Sequence, residues 1–436
     1  MHIAGGRKER LTTGPTDGYP HDPSRHCRRL AIRARCGQSS LVPSSDVECG
    51  GDVADGFGQV ADAFRSNFRS RGELGAAVAV YRDGEKVVDL WGGWRDSQHR
   101  RRWESDTLVP VFSTTKGMCA AAMAVAHSRG LFQLDETVAS YWPEFAQRGK
   151  ERVTVRQLLA HEAGLAVIDK RLDLATIADP ESLGGVLAAQ APRWPPGTGH
   201  GYHAQTLGWY ESQLIRRVDP AHRSIGTFFA DEVAASLGVE FFIGVTDDGV
   251  LERLATFSGG GRAGAALHAR QMPTRLLLAM LNPRSMTARA FTNPKAVATN
   301  MSSINRPDVL RLEFPSMNGV GEVRAIATVY GELATGGSAL GLERATLDEL
   351  ETVVTPSFDE IFRLDSAFTM GFMKPFPILP FGSTPKAYGH TGLGGSFGFA
   401  DPDTGLGYAY AMNRGGYSLP TDPREIALRD AVYKSA

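Results

Sequence analysis

Hydrophobic positions first recur with a helical period in ADGFGQVADAFRSNFRSRG (54–72), where Phe57, Val60, Phe64 and Phe68 fall on one face. The pattern then changes. GAAVAVYRDGEKVVDLWGGW (75–94) holds two apolar runs flanking Asp83-Gly84, and Asp-Gly between such runs predicts a β-hairpin. A nearly unbroken Ala/Met run follows in PVFSTTKGMCAAAMAVAHSRG (110–130) and predicts a helix. From about 130 to 320 the chain reads as helices and loops. TVRQLLAHEAGL predicts a short helix stopping at Gly164, QTLGWYESQLIRRV another with Leu207, Leu214 and Val218 on one side, and ARQMPTRLLLAMLN a third. EVRAIATVYGELATGG is an amphipathic helix stopped by two glycines. Strand character returns in GGSFGFADPDTGLGYAYAMNR, with a turn at DPDTG, and PREIALRDAVYK is a last helix.

Strand signals therefore sit at both ends and helices between them. The economical fold is α/β, of the α+β type: a mainly antiparallel sheet flanked by helices, built from both termini, with a largely helical inserted subdomain. The expected division is an N-terminal extension over 1–50 and one domain over 51–436. Within that domain the α/β part covers about 51–115 and 320–436, and the helical part about 116–319.

Composition narrows the function. In 436 residues, 47 Lys and Arg face 48 Asp and Glu, so nothing favours a nucleic acid or an anionic membrane as partner. No apolar run approaches the roughly 18 residues of a membrane span. Cys27, Cys36, Cys49 and Cys119 form neither a zinc pattern nor a disulfide framework, and Cys119, inside the apolar run, reads as a buried thiol. Residues 1–50 are rich in Arg, Gly, Pro and Ser without an apolar core, so they read as a disordered extension rather than a secretory signal. The expected location is the cytoplasm, with association with the cell envelope left open.

The chemistry begins at Ser113 and Lys116. Positions i and i+3 share a helix face, so the hydroxyl and the amine would lie together at the start of the Ala/Met helix. A serine hydroxyl needs a base to become a nucleophile. A solvated lysine is protonated, but apolar neighbours such as Met118, Ala120 and Ala121 would dehydrate it and favour the free amine. The competing explanation is a helix-capping serine beside a solvated lysine. A second Ser-x-x-Lys, Ser383 to Lys386, contains Pro385 and opens no helical pattern. Tyr202, between WPPG and a helix, can point into a cleft and share the proton of that pair; its alternative is a packed aromatic. His390-Thr391-Gly392 stands at a strand entry, and Gly392, Gly394 and Gly395 let a ligand approach the backbone.

Ser113-x-x-Lys116, Tyr202 and His390-Thr391-Gly392, in this order, resemble the three motifs of the serine β-lactamase and penicillin-binding-protein superfamily. The resemblance spans roughly residues 55–430 and is to the class C-like branch that includes family VIII carboxylesterases. TVRQLLAHEAGL, WPPG and FADPDTGLGYAYAMNR add to it. It implies Ser113 as nucleophile, Lys116 as its base and Tyr202 as an aid to proton transfer. It also implies an oxyanion hole from the backbone N–H of Ser113 and one from the 392–395 stretch, placed at Leu393 before Gly394. Thr391 and Gly392 would flank the substrate, and His390 would orient Tyr202 or a substrate group. No metal or organic cofactor is implied; the partner is a small-molecule ester.

The departures favour esters. The second motif reads Tyr202-His203-Ala204 instead of ending in Asn, and His390 stands where β-lactamases carry a lysine that can hold the lactam carboxylate. The alternatives left open are a β-lactamase, a D-amino-acid peptidase or an acyltransferase of the same superfamily, or an inactive binding protein on its scaffold.

Other patterns carry less. GGSFG (394–398) matches the nucleophile elbow, but no histidine follows Ser396 and a strand follows where the elbow needs a helix. GGGRAG (259–264) follows no clear strand, which argues against dinucleotide binding and leaves a flexible loop over the cleft. His200 and His203 have a metal-like spacing without further ligands nearby, and His161 reads as a structural helix-end residue. Trp91, Trp94 and Trp103 read as packing for the hairpin.

Overall fold

In the computed structural model, which describes residues 47–259, 272–298, 300–416 and 421–435, strands from both ends of the chain meet in an eight-stranded sheet. The N-terminal part supplies β1 (Cys49–Val53), β2 (Gly75–Arg82) and β3 (Glu85–Gly93). The C-terminal part supplies β4 (Phe368–Thr369), β5 (Phe372–Met373), β6 (Tyr388–Thr391), β7 (Phe397–Asp401) and β8 (Leu406–Met412). The order is β1-β3-β2-β8-β7-β6-β5-β4, and every neighbouring pair is antiparallel. The β2–β3 turn places Asp83 at φ 50° and Gly84 at φ 81°, the paired left-handed residues that a two-residue hairpin requires. The DPDTG turn is a 3-10 segment, Pro402–Thr404, closed by Gly405 at φ 61°. Pairing of β2 with β8, from Ala76 opposite Met412 to Arg82 opposite Leu406, joins the two ends of the domain.

Side-chain alternation along β8 decides what each face accepts. Gly407 faces the amphipathic helix Val323–Ala334, whose Gly331 comes so close that a Cβ on Gly407 would stand 2.1 Å from the Gly331 nitrogen. Tyr408 and Tyr410 lie on the other face. Their hydroxyls reach the Glu425 carbonyl and the Glu73 carboxylate, beside the packed pair of helices Gly58–Ser70 and Pro423–Ser435. Val60 and Phe64 of the periodic 54–72 segment are buried there, and Asn67 binds the Arg424 carbonyl at 3.1 Å.

Between the two sets of strands lies the helical part. Its first helix, Thr115–Ser128, is buried at every position from Thr115 to Ala126, which is why its sequence is apolar on all sides. The helix Leu207–Val218 packs against it. Three details differ from the sequence reading. The helix in TVRQLLAHEAGL spans only Val155–Leu159, opened by a Thr154/Gln157 capping box, because His161 adopts φ 64° and breaks it before Gly164. A three-stranded sheet of Val109–Pro110, Val320–Gly321 and Phe241–Phe242 closes the base of the helical part; strands of two residues are too short to show a period. β1 begins at Cys49, ahead of the boundary drawn after residue 50. Cys119 is buried, with its thiol against the Pro315 carbonyl at 3.3 Å. Cys27, Cys36 and the rest of 1–46 lie outside the described residues, as do 260–264 of GGGRAG and 269–271 of the third helical segment, whose described part is Thr274–Leu281. Among the described residues no helix is long and apolar enough to cross a membrane.

A buried ion cluster ties the first and last segments together. Arg424 donates to Glu73 at 2.9 Å and to Asp422 at 2.8 Å, and all three side chains are buried. Removing the guanidinium strands two carboxylates in a dry site. Arg424→Ala is expected to lower the unfolding free energy by about 3–5 kcal/mol, measured by urea denaturation; a loss below about 1 kcal/mol would show that the cluster does not hold the ends together.

Candidate active site

The Val109–Pro110 strand turns into the first helix of the helical part through a short 3-10 segment, Phe112–Thr114. Phe112 takes φ 48°, a left-handed conformation that costs a non-glycine residue on the order of 1–2 kcal/mol. Its ring, edge-on to Phe257 at 4.7 Å, holds it there. This kink leaves Ser113 on the wall of a cavity and sends Lys116, one turn later, into the interior.

Lys116 is fully buried. Its Nζ donates to the carbonyls of Ala204 and Ser316, both at 2.8 Å, and lies 3.3 Å from Ser113 Oγ. Burial pulls the amine down from its usual range to about 7, opposed by Glu211 and Cys119. A neutral amine has two N–H bonds and one lone pair. The two carbonyls take the N–H bonds, which leaves the lone pair for the Ser113 hydroxyl.

Tyr202 stands on the other side of that hydroxyl. Its ring lies parallel to those of Phe362, at 4.5 Å, and Phe368, at 5.8 Å, and 4.9 Å from Lys116 Nζ. Asp359 fixes the backbone below it, accepting the Tyr202 N–H at 3.0 Å and the N–H groups of Ile361 and Phe362 at 2.7 Å each. Burial pushes the phenol well above its usual range, and its hydrogen bond to Ser113 pulls it partly back. The structure thus brings Ser113 and Lys116, one helical turn apart, together with Tyr202 from a distant stretch of chain.

The glycine-rich stretch forms the facing wall. Thr391, Gly392 and Leu393 line the cavity. The Gly392 N–H binds the Ser396 carbonyl at 2.7 Å and the Gly395 N–H binds the Gly392 carbonyl at 3.1 Å, folding the segment into a tight loop. Gly394 and Gly395, at φ 93° and 117°, make that loop possible, and the Gly394 carbonyl is held by Arg424 at 3.2 Å. Gly394 itself packs behind the wall, near Gly415, Met412 and Phe257. The backbone N–H groups of Ser113 and Leu393 meet no acceptor among the described residues.

His390 is elsewhere than a substrate contact would need. It is fully buried behind Tyr202, with ring centroids 5.8 Å apart, and is not on the cavity wall. Its Nδ1 lies 2.7 Å from the Thr391 carbonyl, and its Nε2 has no partner among the described residues. Burial, reinforced by Lys116, drives it down to about 3, so the imidazole is neutral at pH 7.

The cavity is about 190 Å³ and overwhelmingly apolar. Phe112, Phe291, Phe362, Phe376 and five methionines (Met272, Met280, Met301, Met317 and Met373) are among its lining residues, and no charged side chain among the described residues lines it. These residues, and the carbonyls of Ala204 and Ser316, were not visible in the sequence. Backbone acceptors carry no residue signature, and the methionines are scattered over a hundred positions.

The remaining motifs are used structurally. Ser396 is buried, donates to the Val111 carbonyl at 2.8 Å and meets Thr114 Oγ1 at 3.0 Å. His203 Nε2 accepts the Leu165 N–H at 3.0 Å and its Nδ1 lies 2.7 Å from the Gly201 carbonyl. The ring nitrogens of His200 lie against Ser366 at 3.0 Å and Ser357 at 3.1 Å. His161 accepts the His203 N–H at 3.0 Å and packs on Phe368. Ser383 binds Asp401, and Lys386 pairs with Asp403. Trp103 is buried in the core, and Trp94 stacks on His99 under Arg102.

Known proteins resemble the chain in sequence and fold. A family profile described as Beta-lactamase matches residues 60–432. Esterase/beta-lactamase LipL of Mycobacterium tuberculosis is 32% identical over 360 residues, 82% of this chain and 81% of its own. The crystal structure of a family VIII carboxylesterase superposes with a TM-score of 0.78 at 35% identity, covering 89% of this chain and 100% of the other. A penicillin-binding-protein homologue from Caulobacter crescentus matches with the same TM-score, identity and coverage. EstA from Arthrobacter nitroguajacolicus Rue61a gives a TM-score of 0.76 at 30% identity over 88% of this chain and 97% of its own.

Ser113 and Ser396 can be separated by experiment. Ser396→Ala removes two buried hydrogen bonds and is expected to cost about 2 kcal/mol in unfolding free energy while leaving fluorophosphonate labelling of the protein intact. Loss of labelling in a folded Ser396→Ala protein would transfer the reactive role to Ser396.

Proposed function

The chain belongs to the β-lactamase family, and on that premise we propose that it is a serine carboxylesterase that cleaves small neutral esters through an acyl-enzyme on Ser113. The observation that carries this reading is the pairing of one hydroxyl with a dehydrated amine at the wall of a cavity that carries no charge among the described residues. Family VIII carboxylesterase is also the description of one of the similar structures.

In the proposed reaction the ester carbonyl carbon lies over Ser113 Oγ. The Ser113 O–H proton passes to the Lys116 amine as Oγ bonds to the carbon. The carbonyl oxygen, now negative, points toward the N–H groups of Ser113 and Leu393; one such donor is worth about 3 kcal/mol in other hydrolases. Tyr202, kept protonated by burial, is placed to hand a proton to the departing alkoxide and to recover the one that Lys116 took from Ser113. The carbon–oxygen bond to the alcohol breaks and an acyl-serine remains. Water then takes the place of the alcohol and gives its proton to Lys116 as its oxygen bonds to the acyl carbon; the carbon–Oγ bond breaks, the proton passes from Lys116 to Ser113 Oγ, and the acid leaves.

A lactam-hydrolysing role is the alternative, because LipL is described as both esterase and β-lactamase. Common β-lactams carry a carboxylate. Here the neutral His390 is behind the wall and the described cavity residues offer no cation to receive it.

Three measurements test the reading. Ser113→Ala is expected to abolish hydrolysis of p-nitrophenyl butyrate in a protein that unfolds like the native one; retained turnover would refute the assignment. A chromogenic cephalosporin is expected to show a kcat/KM lower than the ester's by roughly two orders of magnitude. Because the amine must be unprotonated, kcat/KM should climb as pH rises through about 7 and level off above it; a profile flat from pH 5 to 8 would remove Lys116 as the base.

A further inference from the structure

The helix Thr274–Leu281 is apolar on opposite sides, and only one of them is covered. Leu276 and Met280, one turn apart, line the cavity. Leu278 and Leu281 stand on the far side of the same helix and are 62% and 71% exposed. By contrast the helix Thr115–Ser128, also apolar all round, is buried at every position from Thr115 to Ala126. A single exposed leucine needs no explanation, but these are grouped. Among the described residues six large apolar side chains stand exposed. Four of them, Leu278, Met280, Leu281 and Ile378, belong to two elements that line the cavity, this helix and the turn Phe376–Leu379. Met280 both lines the cavity and is 37% exposed, so the apolar lining runs out onto the surface.

Charge says what covers this side. From residue 253 to residue 307 the chain holds eight Arg and Lys and no Asp or Glu. At the average of the whole chain about six acids would fall there. The balanced total conceals this local excess. Some of the cations are used within the fold: Arg253 pairs with Glu240, Arg289 with Asp169 and Arg306 with Asp308. Arg275 and Arg284 are exposed and meet no carboxylate among the described residues. Arg275, Leu278 and Leu281 follow one another at three-residue spacing, so one side of the helix carries the cation and both leucines, and Arg284 comes three residues after its end. Leucines flanked by unpaired arginines complement a layer that is apolar within and negative at its surface, which is an anionic bilayer. A second copy of the chain would set arginine against arginine across a two-fold axis, with no acid on this helix to answer them.

We propose that the outer side of the helix Thr274–Leu281 docks on an anionic lipid surface, with Leu278 and Leu281 entering the acyl boundary and Arg275 and Arg284 meeting lipid phosphates. Docked in this way, Met280 lies between the bilayer and the cavity, and a neutral ester dissolved in the lipid has an apolar route toward Ser113. The docking is independent of the reaction; the route rests on the reading of Ser113 as the nucleophile.

Co-sedimentation of the full chain with vesicles is the test. Vesicles of phosphatidylcholine are compared with vesicles in which about a third of the lipid is phosphatidylglycerol, at about 0.05 M and about 0.5 M salt. At low salt the native chain is expected to partition roughly tenfold more strongly onto the anionic vesicles, and to lose most of that preference at high salt. Leu278→Ser/Leu281→Ser and Arg275→Gln/Arg284→Gln, in proteins that unfold thermally like the native one, are each expected to weaken binding to the anionic vesicles about fivefold. Val353→Ser changes a residue that is 59% exposed and does not line the cavity, and is expected to leave binding unchanged. Equal partition onto both kinds of vesicle overturns the proposal, as does native-like binding by either double variant or an equal loss in Val353→Ser. A chain that is dimeric, turns monomeric in Leu278→Ser/Leu281→Ser and ignores vesicles gives this face to self-association and overturns it too. Should a double variant fail to fold, Leu281→Ser and Arg284→Gln alone carry the same reading with smaller losses. An active protein that ignores vesicles rejects the docking alone, whereas one that binds them and keeps its turnover as Ser113→Ala rejects the function alone.

Discussion

A lysine amine cut off from water is the constraint around which the site is arranged. Lys116 sits at the start of a helix buried on every side, and its Nζ is pinned by the carbonyls of Ala204 and Ser316. Each carbonyl belongs to a different segment, one just after Tyr202 and one just before Met317 of the cavity wall. The interaction that dehydrates the amine is therefore the same one that gathers the walls of the site. Desolvation favours the free amine, and the directions of the two N–H bonds aim the remaining lone pair.

Buried lysines elsewhere in the chain show what is particular about this one. Lys150 is capped by the carbonyls of Gln147, Ala188 and Gln190, and Lys374 by those of Leu350 and Lys386; burial lowers these to about 8 and about 7. Neither meets a serine hydroxyl or lines the cavity. A lowered lysine is thus a recurrent structural device here, and only the addition of Ser113, Tyr202 and a free space beside them makes one of the three a candidate base.

The two ends of the chain serve the same site from opposite sides. The strand pairing β2–β8 and the Glu73–Arg424–Asp422 cluster lock the first and last segments into one body. Arg424 then reaches on to the Gly394 carbonyl, so the cluster also holds the loop that presents Leu393 to the cavity. Small residues permit this closeness: Gly407 admits the helix Val323–Ala334 against the sheet, and Gly394 and Gly395 let the loop turn back on itself. The apolar, methionine-rich lining favours neutral groups and adapts to their shape.

Much of this was legible in order along the chain. The Asp83-Gly84 hairpin, the all-apolar helix behind Ser113, the two terminal sets of strands and the three motifs at Ser113, Tyr202 and His390 each have a local signature: turn chemistry, periodicity or residue spacing. What local pattern cannot carry is the identity of partners from distant segments. The neutrality of His390 follows from complete burial, which spacing does not report. The Arg424 contact that holds the Gly394 carbonyl behind the cavity wall comes from the far end of the chain. The Ala204 and Ser316 carbonyls reach Lys116 only because three stretches converge. The sequence by itself determined which groups can do the chemistry; the tertiary structure decided their charge, because charge depends on access to water, and that is a property of the packed whole.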